Sequence, residues 1–545
     1  MPEPLRGPAA LDAPRRVGLA PALTSAPLVA MAAYWIAVTP ARGPFWLSWD
    51  DASYFVRSQR LYLLEAAGDW REALRLLRSF QFLPPLHSLL ASALYHAAGP
   101  TPYALTALSL AAWLASVGLA ARLGARQLGS AGGLAMLVLA ASAPLGQDLA
   151  VRPMLESFGA LLTVGFVLLY FTPEGALASG GRRVAAGLVL TAAIFTKYNY
   201  GLYLLLGLLA YHGACLAAAL RQDRPRPARS EAATACRFVL LYAGIPVLLW
   251  CLAIGRPGVE AAVRFFVNSP NSAYPRTDLR FWLFYVQAIP HAYFVSPLAG
   301  WAALGLAAYR IAAYRRLPAV ERWLAGYAVA VVALMTVNPN HQARYVFTVM
   351  PGLWLLALAA LAPLARRAGR QPAARGIALA GLLALGAWSV GSTWVRAVDD
   401  AQARQVVNAS RLGPALDFLR ARADAAGGIA IVGTFDQLSA PLIVSDYLAR
   451  RTIDRTSGRP DLSLDGAARA DPAAAFAAWQ ARQPRDHEVV TIEVLPGSPY
   501  RTHDYERANA AKTPGILRLL GAAYRVADER ILPDAGLRLR AWRPS

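Results

Sequence analysis

Two adjacent carboxylates follow the first strongly apolar segment of the chain. Asp50 and Asp51 come just after an apolar run at residues 18–39. An ionised group at bilayer depth costs about 3 kcal/mol, so acids at the mouth of a membrane span are expected to face water or a functional cavity. A carboxylate in such a cavity can act as a general base. Asp is also an ordinary residue for capping the helix that follows, and the spacing alone leaves both interpretations open.

A second acid, Glu156, comes soon after a proline and begins another apolar run at residues 154–172. We expect Pro153 at the first helical position and Glu156 in the first turn, where the helix dipole favours a negative charge. Arg152 is four residues before Glu156 and could simply pair with it. In the other interpretation, Glu156 faces the same cavity as Asp50.

Lys197 interrupts residues 183–220, a stretch with the length of a tight helical hairpin. The chain has 54 basic residues, of which only Lys197 and Lys512 are lysines. A lysine at a hairpin apex could merely extend towards lipid headgroups. In a chain that otherwise uses arginine, it could equally make a specific contact with a phosphate or a substrate.

Residues 338–345 form a turn rich in hydrogen-bond donors before an apolar run. Arg344 could hold a phosphate with its planar guanidinium, and His341 could contact a donor or an acceptor. Arg and Tyr, here Arg344 and Tyr345, also occur at membrane interfaces as simple anchors. His87, in a short apolar segment after two prolines, fits a hydrogen-bonded structural residue better than a catalyst.

The composition identifies a polytopic membrane protein. Of 545 residues, 56% are hydrophobic and only 16% are charged, which is too apolar for a soluble protein of this length. The net charge of +21 could suggest nucleic acid, but the basic residues are dispersed between apolar runs, so membrane topology explains them better. The three cysteines lie in or beside apolar runs, and no disulfide framework is expected.

The apolar runs predict a transmembrane helical bundle of about 11 to 13 spans, each needing roughly 20 residues. The run at 18–39 is interpreted as an uncleaved anchor and the short run at 83–98 as re-entrant or interfacial. The arginine-bearing connections then share one side with the N-terminus, which the positive-inside rule makes cytoplasmic. After the anchor, spans are expected at 103–122, 130–147, 154–172, 183–197, 200–220, 237–255, 294–312, 322–337, 345–364 and 376–396.

Two regions outside the spans have their own patterns. In the outer loop 40–82, Trp70 and Leu74 recur at helical spacing beside Arg71 and Arg75, which predicts a basic amphipathic helix on the membrane surface. This helix would suit anionic headgroups or serve only as an anchor. Residues 398–545 have soluble composition and predict a small α/β domain, with strands near 428–433, 489–494 and 537–540 and helices near 411–423 and 470–482.

No P-loop, HExxH, CxxC or GxSxG motif occurs in the sequence, so nucleotide hydrolysis, zinc proteolysis and serine hydrolysis lack their usual support. The order of the motifs present instead resembles the GT-C superfamily of lipid-linked glycosyltransferases, in particular the branch with protein O-mannosyltransferases and lipid A aminoarabinose transferases. The resemblance covers about residues 18–397, which would be the catalytic transmembrane domain. It rests on an acidic pair with a tyrosine after the first span, a Pro-Pro-Leu-His stretch, a Thr-Lys turn, a His…Arg-Tyr turn and an intervening acid: Asp50, Asp51, Tyr54, residues 84–87, residues 196–197, residues 341–345 and Glu156.

The resemblance implies transfer of one sugar from a polyprenyl phosphate donor to an acceptor hydroxyl of a lipid, glycan or protein, with inversion at the anomeric carbon. Asp50 would be the general base, and Lys197 and Arg344, with His341, would hold the donor phosphate. Glu156 would orient the acceptor or share a divalent cation, Mg or Mn, with Asp50. Asp51 stands where relatives usually have Glu, which leaves its part in catalysis open. Tyr54, His87, Arg152 and Tyr345 are further candidates for substrate contacts.

Two other classes of function remain open. A transporter or flippase for a lipid-linked or anionic substrate would also have many spans and basic residues, although charges near the bilayer midplane and an internal repeat would then be expected. A non-catalytic assembly or receptor protein would use its acids only as helix caps. An oligosaccharide ligase with a pyrophosphate-linked donor is a further possibility among enzymes. The expected location is a bacterial inner membrane, with the active site and the C-terminal domain in the periplasm.

Overall fold

The computed structural model describes most of the chain from Trp49 onward. The predicted anchor at 18–39 and the predicted helix at 470–482 lie outside the described residues. The described residues are 49–79, 84–172, 175–176, 180–221, 225–268, 274–368, 372–426, 429–433, 488–496, 498, 514–515 and 517–545.

The described chain is mainly helical. The helices are α1 (Trp49–Ala66), α2 (Trp70–Ser79), α3 (Leu86–Ala98), α4 (Pro102–Ala141), α5 (Pro144–Ala150), α6 (Glu156–Tyr170), α7 (Gly180–Thr196), α8 (Tyr198–Arg221), α9 (Pro225–Val239), α10 (Ile245–Asn268), α11 (Leu279–Trp282), α12 (Phe284–Tyr293), α13 (Pro297–Ala312), α14 (Ala319–Val337), α15 (Met350–Ala368) and α16 (Pro372–Ala426). A π-helical turn, Leu240–Gly244, joins α9 to α10, and a 3₁₀ segment, Ala343–Val349, precedes α15.

Five described segments are long and apolar enough to cross a membrane, and α6 is apolar but shorter. They are Tyr103–Ala141, Tyr198–Arg221, Ser230–Val263, Ala319–Val337 and Ala343–Pro363. The prediction of a polytopic helical membrane protein is therefore confirmed, whereas the number of spans and their orientation stay predictions.

Helix α4 contains a reversal, where the sequence predicts a break between two spans. Gly129 has φ 81° and ψ −177°, which only glycine adopts readily, and it separates two helical arms. A Cβ built on Gly124 would lie 2.6 Å from the carbonyl oxygen of Gly132, eight residues further on. In a continuous helix these residues would be about 12 Å apart along the axis. The two arms therefore fold back on each other.

The bundle is closed by aromatic side chains and by close helix contacts. Trp323 and Tyr327 of α14 are fully buried and stacked, with ring centroids 4.8 Å apart. Helix α8 approaches them at Gly207, where a built Cβ would lie 2.8 Å from the Trp323 ring. Small residues that allow such an approach are typical of membrane helix interfaces.

The predicted amphipathic helix is present as α2. Trp70 and Leu74 are 61% and 55% exposed, and Arg71, Arg75 and Arg78 are exposed beside them. The helix packs against α1 and α10 through its other face. An exposed Trp and Leu next to a basic stripe is the pattern of a helix at a membrane interface.

The C-terminal region contains a four-stranded sheet with the order β3-β4-β6-β5. Strand β3 (Ile429–Gly433) pairs in parallel with β4 (Glu488–Val494), and β6 (Leu537–Pro544) pairs antiparallel with β4 and with β5 (Tyr524–Leu532). A two-stranded pair, β1 (Phe171–Thr172) and β2 (Gly175–Ala176), follows α6. The predicted strands are thus confirmed, and β5 is an additional one.

The helix α16 joins the apolar helices to this sheet as one 55-residue element. Near its end, Arg422 donates to the buried Glu488 of β4 over 2.8 Å, and Arg543 of β6 donates to the same carboxylate. Burial raises the pKa of Glu488, but the two guanidinium groups together lower this pKa by more, so the net shift is downward. The division into residues 1–397 and 398–545 falls within α16 and stays a prediction.

The contact between α8 and α14 can be tested with two glycines of the same helix. We expect Gly207→Ala to destabilise the protein by about 1–3 kcal/mol, because the new methyl group overlaps the buried Trp323 ring. Gly213→Ala is the matched control, since no atom lies within 4 Å of its built Cβ. Thermal unfolding in detergent measures both, and equal stabilities would contradict the packing.

Candidate active site

The predicted acid Glu156 begins α6 and is 1% exposed. The helix starts at Glu156, and Pro153 lies in the turn before it, so the prediction that Pro153 occupies the first helical position was wrong. The prediction that Glu156 lies in the first turn is confirmed. The unpaired backbone N–H groups of a first turn favour a carboxylate there. A buried carboxylate still needs a partner of opposite charge.

Two cations from other elements supply that partner. Lys197 Nζ lies 3.2 Å from Glu156 Oε1, and Arg344 Nε lies 4.0 Å from the same oxygen. The side chains of Lys197 and Arg344 are only 13% and 16% exposed. The second carboxylate oxygen, Glu156 Oε2, is buried and has no hydrogen-bond partner among the described residues. These three residues are called the Glu156 cluster below.

Lys197 occupies the apex of the hairpin between α7 and α8, as the sequence predicted. Its backbone N–H donates to the carbonyl of Ala193 over 3.1 Å, and its carbonyl accepts from Tyr200 N–H over 2.9 Å. A Cβ built on Gly201 would lie 2.2 Å from Ile194 Cγ1, so glycine permits the tight closure of the hairpin. The turn therefore directs Lys197 towards the first turn of α6.

The loop that carries Arg344 is held by its own polar side chains. Asn338 Oδ1 accepts from the backbone N–H of Asn340 over 2.8 Å, and Asn340 Nδ2 donates to Tyr345 Oη over 3.1 Å. The ring of Tyr345 then lies 5.1 Å from Lys197 Nζ and 5.4 Å from the Arg344 guanidinium carbon. Cation–π contacts at these distances help to orient both cations, and each cation keeps its positive charge.

Aromatic and imidazole side chains form one wall beside the Glu156 cluster. Tyr200 is 3% exposed, its ring lies 5.5 Å from Lys197 Nζ, and its hydroxyl has no hydrogen-bond partner among the described residues. His87 is equally buried between the rings of Tyr54, at 5.8 Å, and Phe158, at 5.6 Å. Neither Tyr200 nor Phe158 was predicted from the sequence. The Lys-Tyr-Asn-Tyr spacing after the hairpin apex was the available signal for Tyr200.

The acidic pair opens α1, the helix that carries Tyr54. Asp50 and Asp51 lie in the first turn of this helix, and Asp50 is one helical turn before Tyr54 in the chain. The side chains of Asp50 and Asp51 lie outside the described part of the structure. Helix α1 packs against α3, which carries His87.

Two other predicted residues make contacts of their own. Arg152 pairs with Asp148 at 3.3 Å. His341 lies among the rings of Phe281, Phe284 and Tyr285, and its Nε2 donates to the carbonyl of Thr336 over 3.1 Å. Burial lowers the pKa of His341, although the backbone hydrogen bonds act in the opposite direction. Their substrate contacts remain predictions.

A divalent cation does not fit the part of the site that is described. No group of three or more His, Cys, Asp or Glu residues that could hold a metal occurs among the described residues. The carboxylate of Glu156 already lies beside Lys197 and Arg344, and a divalent cation would be repelled by both.

The buried imidazole of His87 predicts a pH dependence of stability. Burial lowers the pKa of His87 from 6.5 to about 4, although the negative charge of Glu156 acts in the opposite direction. Between these two pH values the unfolded chain binds the extra proton, so stability falls as pH is lowered from about 6.5 to 4, by about 2–3 kcal/mol. We expect His87→Gln to reduce this loss.

Thermal unfolding across this pH range measures the effect. His291→Gln is the control, because His291 is exposed. If wild type and His87→Gln lose stability equally as pH falls, the neutral buried state of His87 is contradicted.

The comparisons with known proteins concern the whole chain. No protein-family model matches the sequence, and no curated protein matches it. Two crystal structures of ArnT from Cupriavidus metallidurans are similar in fold. The apo structure has a TM-score of 0.58 at 16% identity and covers 94% of this chain and 97% of ArnT. The structure bound to undecaprenyl phosphate has a TM-score of 0.59 at 15% identity, with coverages of 96% and 98%. The chain therefore has the GT-C fold of ArnT, the lipid A aminoarabinose transferase, over nearly its whole length.

Proposed function

We propose that the protein is an inverting glycosyltransferase that moves one sugar from a polyprenyl phosphate donor to an acceptor hydroxyl. The Glu156 cluster carries the proposal, because it holds two cations from different elements at the ends of apolar helices. The GT-C fold supports it, since one of the similar ArnT structures is bound to undecaprenyl phosphate.

Lys197 and Arg344 are the proposed ligands of the donor phosphate. An arginine can bind two phosphate oxygens with its planar fork, and a lysine supplies a compact charge. Both side chains are largely shielded from water. In such surroundings their attraction for a phosphate is stronger than at an exposed surface. They would stabilise the charge that develops on the phosphate as it leaves.

In the proposed reaction, the acceptor oxygen attacks the anomeric carbon on the face opposite the phosphate. The bond between that carbon and the phosphate oxygen breaks, and its electron pair stays on the phosphate. Asp50 takes the proton from the acceptor hydroxyl. Asp51, at the same end of α1, remains a candidate for a part in catalysis.

The location of the cluster favours an enzyme over a transporter. Glu156 begins α6, Lys197 precedes α8, and Arg344 lies in the first turn of the segment Ala343–Pro363. Charges at the ends of spans suit a reaction at the membrane surface, whereas transport sites usually lie near the bilayer midplane. A polyprenyl chain is soluble only in the bilayer, while its phosphate and sugar are polar. We place the site on the periplasmic face of a bacterial inner membrane.

The first test of this function concerns Asp50. We expect Asp50→Asn to lower transfer by about 10²–10⁴-fold, the usual contribution of a general base, while the protein remains folded and inserted. Mass spectrometry of glycolipids, polysaccharides and glycoproteins would compare cells with the protein, without it and with the variant. Both defective strains should lose one sugar from one acceptor and accumulate a polyprenyl phosphate sugar.

Asp278→Asn is the matched control for that experiment, because Asp278 is partly exposed and paired with Arg280, and its replacement should leave transfer unchanged. An identical glycan profile in all strains would contradict the glycosyltransferase proposal. Assays of uptake and flipping would then test the transporter alternative.

The second test separates phosphate binding from folding. We expect Lys197→Met to lower kcat/KM by about 10²–10³-fold, as for removal of one donor that stabilises a leaving oxyanion. The variant also leaves Glu156 without its nearer cation, so its stability should fall. Adding Glu156→Gln in the same chain should restore stability without restoring transfer.

Arg256→Gln serves as the control for loss of positive charge, since the Arg256 side chain is 90% exposed. Purified variants would be assayed with membrane extracts as the source of donor and acceptor. Wild-type transfer by Lys197→Met would remove Lys197 from the proposed mechanism.

A further inference from the structure

The net charge of the Glu156 cluster affects which phosphate groups can bind there. Glu156 contributes one negative charge, and Lys197 and Arg344 contribute two positive charges. The three residues together therefore carry a single positive charge. If Glu156 were absent, the same place would carry two.

The cations cannot bind a phosphate without bringing it close to Glu156. Lys197 Nζ lies 3.2 Å from Glu156 Oε1. A phosphate oxygen at hydrogen-bond distance from that nitrogen is therefore within about 6 Å of the carboxylate. The rings of Tyr200 and Tyr345 lie 5.5 and 5.1 Å from Nζ and limit its movement away from Glu156.

Glu156 is itself fixed in this position. It is 1% exposed at the start of α6, and its Oε2 is buried without a hydrogen-bond partner among the described residues. A buried acid with a purely structural role normally has hydrogen-bond partners for both oxygens. The unpartnered oxygen of Glu156 therefore fits a carboxylate whose role is to supply negative charge. Two negative groups so close in a poorly hydrated site repel each other strongly.

The two phosphates of the proposed reaction differ in charge. The sugar donor is a phosphodiester with one negative charge. The polyprenyl phosphate that leaves is a phosphomonoester, whose second pKa is about 6, so it is mostly doubly charged above pH 7. A cluster with one net positive charge matches the donor and is one charge short of the product.

We propose that Glu156 is the specificity-determining residue that makes this site prefer a singly charged phosphodiester over a doubly charged phosphomonoester. Donor binding is retained, and release of the product phosphate is favoured. This inference rests on the proposed function and deepens it. In this role Glu156 acts on binding of the donor phosphate and not on the acceptor.

Two ligands that differ by one charge on the same lipid test the proposal. They are undecaprenyl phosphate and its methyl phosphodiester, added to the purified full-length protein in detergent at pH 8. Binding would be followed by tryptophan fluorescence and by the shift in thermal unfolding. In wild type we expect the methyl diester to bind at least as tightly as the monoester.

Glu156→Gln should change the ratio of the two affinities by about tenfold or more in favour of the monoester. The variant raises the net charge of the cluster from one to two, and the gain in attraction is twice as large for a dianion as for a monoanion. Glu156→Asp keeps the charge and should keep the wild-type ratio. A purely structural role of Glu156 would weaken both ligands together and leave the ratio unchanged. An unchanged ratio in Glu156→Gln overturns the inference.

A double variant covers the case in which Glu156→Gln does not fold. Glu156→Gln with Lys197→Gln removes both members of the buried pair and leaves one net positive charge on Arg344. Its affinities should fall, but their ratio should stay close to that of wild type; a shift of tenfold towards the monoester overturns the inference. If neither ligand binds wild type, the proposed donor site itself is wrong, which is a different result from an unchanged ratio.

Discussion

The buried charge of Glu156 is the constraint on which the arrangement of the site depends. Moving a carboxylate from water into an apolar interior costs several kcal/mol even after relaxation, and only close cations and hydrogen bonds offset that cost. The compensating charges come from the α7–α8 turn and from the 3₁₀ segment before α15. Three elements that are far apart in sequence must therefore meet at the first turn of α6. Glu156 and Lys197 alone would form a neutral pair, and Arg344 adds one net positive charge to it.

The far end of α6 helps to keep this meeting point in place. Arg126 donates to the carbonyls of Leu168 and Phe171 over 3.2 and 2.7 Å, and Arg182 donates to the same two oxygens. Cations at a helix C-terminus satisfy the last carbonyl groups and interact favourably with the dipole. The helix thus has an acid at its N-terminus and two arginines at its C-terminus. The C-terminal end is tied to α4 and α7, and the N-terminal end to the α7–α8 turn and the 3₁₀ segment, which restricts sliding of α6 and with it movement of the carboxylate.

The sequence predicted the parts of the site that depend on local chain geometry. The turn at Lys197 followed from two apolar runs with a polar interruption. The place of Glu156 in a first turn followed from the start of an apolar run, although the helix begins at Glu156 and not at Pro153. Partner choice could not be predicted in the same way. Arg152 is four residues from Glu156, yet the structure gives it Asp148 as a partner, four residues in the other direction. The phosphate-binding candidates Lys197 and Arg344 are 147 residues apart, so their closeness is a property of tertiary packing. Tyr200 was missed although it follows the hairpin apex in the run Lys-Tyr-Asn-Tyr, because its closeness to Lys197 depends on how the hairpin closes.

The choice of lysine at position 197 follows from this packing. The two tyrosine rings and the carboxylate enclose Nζ from three sides. A compact ammonium group fits such an enclosure and can direct its three hydrogens to different partners, whereas a guanidinium is planar and needs a wider, flat surface. Arg344 lies beside one of these rings, with its guanidinium carbon 5.4 Å from the Tyr345 ring, and its fork-shaped group can donate to two oxygens. The cluster thus combines a confined point charge with a planar donor. A phosphate group presents several oxygens in a tetrahedral arrangement and can use both kinds of cation at once. The single lysine among the described residues is therefore explained by the shape of its surroundings as well as by its charge.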